Sequence, residues 1–295
     1  MSPLTKLTQG ASAALTKGLN RVEHKWHHAN SASRPHARGM MLYAEDLTVS
    51  FDGFKALNNL TFYLQAGELR CFIGPNGAGK TTMMDVLTGR TRPDSGNAFF
   101  CSDPQHESPD NLYNLLQMDE VAIVRAGIGR KFQKPSVIES LSVGQNLELA
   151  GACNKTVRGT LKRGLDSAEQ DYICEILQKI RLSSRANVLA GTLSHGQKQW
   201  LEIGMLLIQR PRLLMLDEPA AGMTPEEIEL SIELLHELKG RHTIMVIEHD
   251  MAFIRAIADI VTVLCRGQVL AEGTMDEVSS NPAVIEAYLG KDDDA

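Results

Sequence analysis

The sequence predicts an α/β fold in which a parallel sheet is interrupted by a helical insertion. Two observations carry this. Apolar runs at 212–216, 243–247 and 260–264 read as buried strands, with helical spacing at 225–239 and 251–257 between them, the alternation of right-handed βαβ crossovers. A further short strand, 68–73, runs straight into a glycine-rich turn that opens a helix at 81–89, closed by Gly89.

Taken in order, the folded unit begins at Met41. Runs at 42–51 and 56–64 are apolar and β-branched, and Asp52-Gly53 between them marks a strand pair. Helical spacing recurs at 111–126, 143–150, 167–180 and 196–209, with a short strand at 127–131. Residues 1–40 stand apart. They hold six Lys/Arg against the single acid Glu23, whereas the whole chain carries a net charge of −6. Apolar residues from Leu4 to Trp26 recur in a helical stripe, so a basic, flexible or amphipathic extension is expected, ending in the linker 30–39. His24, His27, His28 and His36 read as solvated linker residues rather than metal ligands. Residues 291–295 form an acidic tail.

Composition narrows the function. The longest apolar runs, such as 205–208 and 213–216, fall far short of the ~20 residues needed to cross a bilayer, so no span is expected. The acidic body, with aromatics at only 5%, argues against a nucleic-acid partner. Five widely spaced cysteines without a C-x-x-C pair predict unpaired thiols in a reducing compartment.

Chemistry concentrates in two motifs. Gly74-Pro75-Asn76-Gly77-Ala78-Gly79-Lys80-Thr81 matches G-x-x-x-x-G-K-S/T between a strand and a helix, the context in which backbone N–H groups and a helix N-terminus cradle phosphate. Lys80 supplies a point charge for the β and γ phosphates, the Thr81 hydroxyl is placed to ligate Mg²⁺, and Thr82 completes the loop. Further on, the apolar run 212–216 ends in Asp217-Glu218-Pro219, which puts two carboxylates at the carboxyl edge of the sheet. Asp217 can hold the magnesium shell and Glu218 can polarise an attacking water. A phosphate loop by itself leaves kinases, GTPases and many ATPases open.

Leu193-Ser194-His195-Gly196-Gln197, followed by a helix, resembles the signature motif of ABC-type ATPases. Phe51, Gln133 and His249 match further family positions in order, and the resemblance covers about 41–290. It implies the P-loop NTPase fold of an ABC-type nucleotide-binding domain: a mixed sheet core with an antiparallel β subdomain and a helical subdomain at about 134–210. By resemblance, Phe51 stacks on adenine, Gln133 reaches the magnesium and water, and His249 contacts the γ-phosphate and orients Glu218. Ser194, Gly196 and Gln197 act in trans on ATP held by a facing subunit. Two departures stand out: His195 replaces the commoner glycine, and Thr224 stands where many relatives have aspartate.

Both departures are similar to those in the ATPases of branched-chain amino acid importers. The stretches 127–135 and 286–290 also resemble that group, and 127–135 is especially similar to urea-import ATP-binding subunits within it. The expectation is therefore an ATPase subunit at the cytoplasmic face of the inner membrane. It would pair with a second ABC ATPase subunit, more readily a heterodimer than a homodimer, beneath two permeases served by a periplasmic binding protein. It would energise uptake of urea or related short-chain amides; the alternative is a branched-chain amino acid importer. A soluble non-transport ABC ATPase is a third reading, disfavoured by the single phosphate loop and the short span between Gln133 and Ser194. A phosphate-loop kinase leaves the signature motif unexplained.

Overall fold

The structure is a computed structural model that describes residues 39–106, 108, 110–132, 136–151 and 167–289. The extension 1–38, the tail 291–295 and Gln133 lie outside the described residues. Strands β1 (Met40–Phe51) and β2 (Phe54–Gln65) form the expected antiparallel pair, with Phe51 opposite Phe54 across the Asp52-Gly53 turn. They belong to a four-stranded sheet of order β2-β1-β4-β5, completed by β4 (Ser95–Cys101) and β5 (Leu112–Asn114).

The second sheet has six strands in the order β10-β9-β3-β8-β7-β6. These are β3 (Leu69–Ile73), β6 (Ile128–Lys131), β7 (Leu213–Asp217), β8 (Thr243–Ile247), β9 (Ile260–Cys265) and β10 (Gln268–Gly273). All pairings are parallel except β9–β10. Every residue of β3, β7 and β8 is buried, as expected of central parallel strands covered on both faces. One face packs on the first sheet and on helix α1 (Lys80–Leu87) through Phe72, Met83, Met84 and Met245. Helices α3 (Val143–Gly151), α4 (Ser167–Lys179), α5 (His195–Leu207), α6 (Pro225–Leu238) and α7 (Met251–Ile257) contribute to a second apolar cluster with Leu214, Leu216 and Val246.

One stretch departs from expectation. Instead of a continuous helix at 111–126, the chain forms β5, a 3-10 turn at Leu115–Gln117, and only then α2 (Glu120–Ala126). Side-chain caps explain the break: Asn114 Oδ1 accepts from Leu116 N–H at 3.1 Å, and Asp119 Oδ1 accepts from Ala122 N–H at 2.7 Å. Each cap offers the backbone a partner that a continuous helix would have to give up. Strands β4 and β10 escaped the sequence reading. The first has few β-formers, and the second is a half-exposed edge with alternate residues turned to solvent. Short helices α8 (Met275–Ser279) and α9 (Pro282–Leu289) follow.

Candidate nucleotide site

The phosphate loop is fixed by glycines that cannot be replaced without collision. Gly74 has φ +150°, and a Cβ there would lie 2.1 Å from the Leu264 carbonyl oxygen; at Gly79, φ +101°, it would lie 2.4 Å from that of Ala56. The loop is therefore wedged between β9 and β2, with Asn76 and Gly77 exposed and Ala78 buried. Lys80 begins α1, with Thr81 and Thr82 in its first turn. Its Nζ donates to the Gly74 and Pro75 carbonyls at 2.6 and 3.1 Å, which folds the ammonium over the loop. Tyr288, in the 286–290 stretch, hydrogen-bonds the Gly74 backbone, and burial raises its phenol pKa.

The two carboxylates emerge where β7 ends. Asp217 is 7% exposed, and burial pushes its carboxyl up while Arg130 opposes the shift. Arg130 Nη2 lies 3.7 Å from Asp217 Oδ2, and its Nη1 binds Asp85 Oδ1 at 2.6 Å and Thr88 Oγ1 at 3.1 Å. A single guanidinium on β6 thus ties the acid pair to the phosphate-loop helix. Next, Glu218 takes the left-handed conformation at φ +47° and donates its N–H to the Ile247 carbonyl at 2.9 Å. A non-glycine residue there is uncommon and concentrates at functional turns.

His249 approaches this carboxylate from β8's end: its Nδ1 lies 3.9 Å from Glu218 Oε1, within ion-pair range but too far for a hydrogen bond. The intervening brace is Glu248. Its side chain is 1% exposed; Oε1 accepts the Ala220 N–H at 3.0 Å and Oε2 accepts the His249 N–H at 2.9 Å. It fixes the loop after Glu218 relative to His249. Sequence reasoning passed over Glu248, Arg130 and Asp85 because each looks like an ordinary charged residue until the partners are known.

Lys131, at the end of β6, is fully buried beside Glu202 of α5, with 3.9 Å between Nζ and Oε2. Burial lowers the Lys131 pKa and raises that of Glu202. Lys131 Nζ also donates to the carbonyls of Phe132 and Asp217 at 3.2 and 3.4 Å, and Glu202 Oε1 accepts from Ser136 N–H and Oγ at 3.1 and 2.8 Å. The described residues on both sides of Gln133 are therefore anchored to one buried pair.

Phe51, at the hairpin turn, is 51% exposed. A cavity beside the phosphate loop is lined by Phe54 and Lys55 together with Pro75, Asn76, Gly77 and Ala78. Phe51 is not among the residues that line it; the aromatic there is Phe54, 62% exposed, which the sequence reading passed over.

Ser194 caps α5 in a reciprocal box: its Oγ accepts the Gln197 N–H and Gln197 Oε1 accepts the Ser194 N–H, both at 3.2 Å. Thr224 caps α6 in the same manner, accepting the Glu227 N–H at 3.3 Å, a task open to threonine as well as aspartate. His195 Nε2 lies 3.1 Å from the Gln199 amide nitrogen, and its ring packs near Gly222. Asp217, Glu218 and His249 are thus gathered at one sheet edge with α1, whereas Ser194, Gly196 and Gln197 are grouped with the Thr224–Glu227 turn.

For the implied divalent cation, the donor set fits. Among the described residues no three His, Cys, Asp or Glu side chains converge. The Thr81 hydroxyl and the Asp217 carboxylate, which would hold the ion, are hard oxygen donors of the kind that suit magnesium rather than a transition metal. Also among the described residues, no helix is long and apolar enough to cross a membrane.

The family model described as ABC transporter matches residues 57–221, more than half the chain, and a second, described as branched-chain amino acid ATP-binding cassette transporter, matches 268–294. The high-affinity branched-chain amino acid transport ATP-binding protein LivG of Escherichia coli is 36% identical over 260 residues, covering 85% of this chain and 98% of LivG. Its Pseudomonas aeruginosa counterpart BraF is 34% identical over 260 residues, covering 85% of this chain and 98% of BraF. Among solved structures, an ATP-binding cassette of an ABC transporter in its ADP conformation superposes with a TM-score of 0.73 at 28% identity, covering 85% of this chain and 99% of that one. A nucleotide-free ATP-binding cassette superposes at 0.71, with 28% identity and coverage of 85% and 100%. The chain belongs to the ABC transporter family, whose ATP-binding subunits are ATPases coupled to transport, and within it to the group of branched-chain amino acid importer subunits.

Proposed function

We propose that this chain binds MgATP between the phosphate loop and the Asp217-Glu218 edge and hydrolyses it to drive an importer. The observation that carries the reading is the bridge from Asp217 through Arg130 to Asp85, which holds the carboxylate edge in register with the phosphate-loop helix. Lys80 exchanges the Gly74 and Pro75 carbonyls for β and γ phosphate oxygens, and the loop N–H groups close around the anion. Thr81 and Asp217 would hold magnesium, which would supply positive charge against the phosphates, and by the family resemblance Gln133 is the residue that reaches it. Glu218 accepts a proton from the attacking water, and His249 steadies Glu218 and the γ-phosphate. Phe51 stacks on the base.

Completion requires a second chain. Ser194, Gly196 and Gln197 present a helix N-terminus to the nucleotide of a facing ATPase subunit, so that ATP joins the two chains and hydrolysis parts them. We place the pair at the cytoplasmic face of the membrane beneath two permeases, with a related but distinct ATPase subunit as partner and a periplasmic binding protein selecting cargo.

For the cargo, the branched-chain amino acid reading has the better support, because LivG and BraF are named for that transport. Urea remains the second reading. What favours it is the stretch 127–135, which is similar to urea-import subunits. Uptake of labelled leucine and labelled urea by a strain deleted for this gene decides between them. Loss of leucine uptake with urea uptake intact supports the first reading; the reverse supports the second; loss of neither overturns both cargo readings.

A further inference from the structure

Glu227 is the third residue of α6, and its Oε2 accepts the Thr224 N–H at 3.1 Å as part of the helix cap. Its other oxygen does something the cap does not require: Oε1 accepts the Ser194 hydroxyl proton at 2.6 Å. A Cβ built on Gly196 would lie 2.4 Å from Glu227 Cδ and 2.5 and 2.7 Å from its two oxygens. The carboxylate therefore rests directly on the first turn of the 13-residue helix α5, where partial positive charge gathers. Gly196 gains a second reason to be glycine, since any side chain would evict Glu227.

A serine hydroxyl has one proton to give. Ser194 cannot donate it to Glu227 and to a phosphate oxygen together, and two anions at hydrogen-bond distance from one hydroxyl repel each other. We infer that the Glu227 carboxylate occupies the seat taken by the γ-phosphate of the facing subunit, and that closure of the two chains requires Glu227 to release Ser194. This rests on the trans reading of the signature turn. Glu227 is then a positioning residue: it holds Ser194 while the pair is open and sets the ATP concentration at which closure occurs. Release leaves α6 capped, because the Glu227 N–H still donates to Thr224 Oγ1.

The test is Glu227→Gln, which keeps the shape and the hydrogen bonds but removes the charge. It is made in full-length protein that also carries Glu218→Gln, so that ATP persists. Association is followed by sedimentation velocity against MgATP concentration, for the chain alone and mixed with the importer's second ATPase subunit. The ATP midpoint should fall roughly tenfold or more, the scale of one charge-assisted hydrogen bond. A merely structural role would raise it. An unchanged or raised midpoint overturns the inference. Absence of association with either Glu227 or Gln at this position overturns the trans reading, and the inference with it. If thermal melting shows that Glu227→Gln does not fold, Glu227→Asp, which retracts the charge by one methylene, decides with the same expected direction.

Discussion

Replacing Lys131 by methionine removes one member of a buried ion pair whose side chains are 0% and 4% exposed and whose charges lie 3.9 Å apart. With an effective dielectric constant of about 20, that separation corresponds to an attraction of about 4 kcal/mol. Removing one partner of such a pair typically costs about 3–5 kcal/mol, because the remaining charge stays buried. Ser136 cannot offset the loss, since both of its hydrogen bonds go to Glu202 Oε1 and leave Oε2 without a hydrogen-bond partner among the described residues. Changing both members, as Lys131→Met with Glu202→Met, should recover most of the stability. Urea denaturation of the four proteins measures the coupling directly. Single variants each costing under about 1 kcal/mol, or a double variant equal to the sum of the singles, would refute the reasoning.

Acidity supplies an independent check on that pair. Burial already raises the Glu202 pKa, and Lys131 opposes the shift, so Lys131→Met raises it further. A carboxyl whose folded pKa exceeds its unfolded value is penalised once ionised. The Lys131→Met deficit should therefore be largest at neutral pH and shrink as pH falls through the folded pKa of Glu202, as read from denaturation midpoints. A deficit that grows on acidification contradicts this. Glu218→Gln should keep ATP affinity while turnover drops on the order of a hundredfold or more, the scale of general-base loss; undiminished phosphate release would remove Glu218 from the chemistry. Gly74→Ala should abolish nucleotide binding in an equilibrium titration, since its Cβ would sit 2.1 Å from the Leu264 oxygen. Retained affinity would show that the loop can shift aside.

Legibility followed locality. The phosphate loop and the acid pair are contiguous in sequence and answer to short-range rules, so their residues could be named in advance; Ser194 and Gln197 were named through resemblance to a signature motif, and the box by which they cap α5 was not. The β1–β2 hairpin and the buried strands β3, β7 and β8 were legible for the same reason: their side chains carry the whole pattern. Arg130, Glu248 and Glu227 were not, because each acts through a partner distant in the chain: Asp85 lies 45 residues from Arg130, and Ser194 lies 33 from Glu227. Stretch 111–126 misled because its apolar residues keep helical spacing while Asn114 and Asp119 divert the backbone. The cargo lies further still from sequence, since nothing in an ATPase subunit need touch it.

The central claim is that ATP joins two chains and its hydrolysis separates them. Light scattering of the Glu218→Gln protein, mixed with the importer's other ATPase subunit and titrated with MgATP or MgADP, tests it most directly. Assembly of dimers with MgATP and their absence with MgADP is the predicted result. Equal association with both nucleotides, or with neither, would contradict the account.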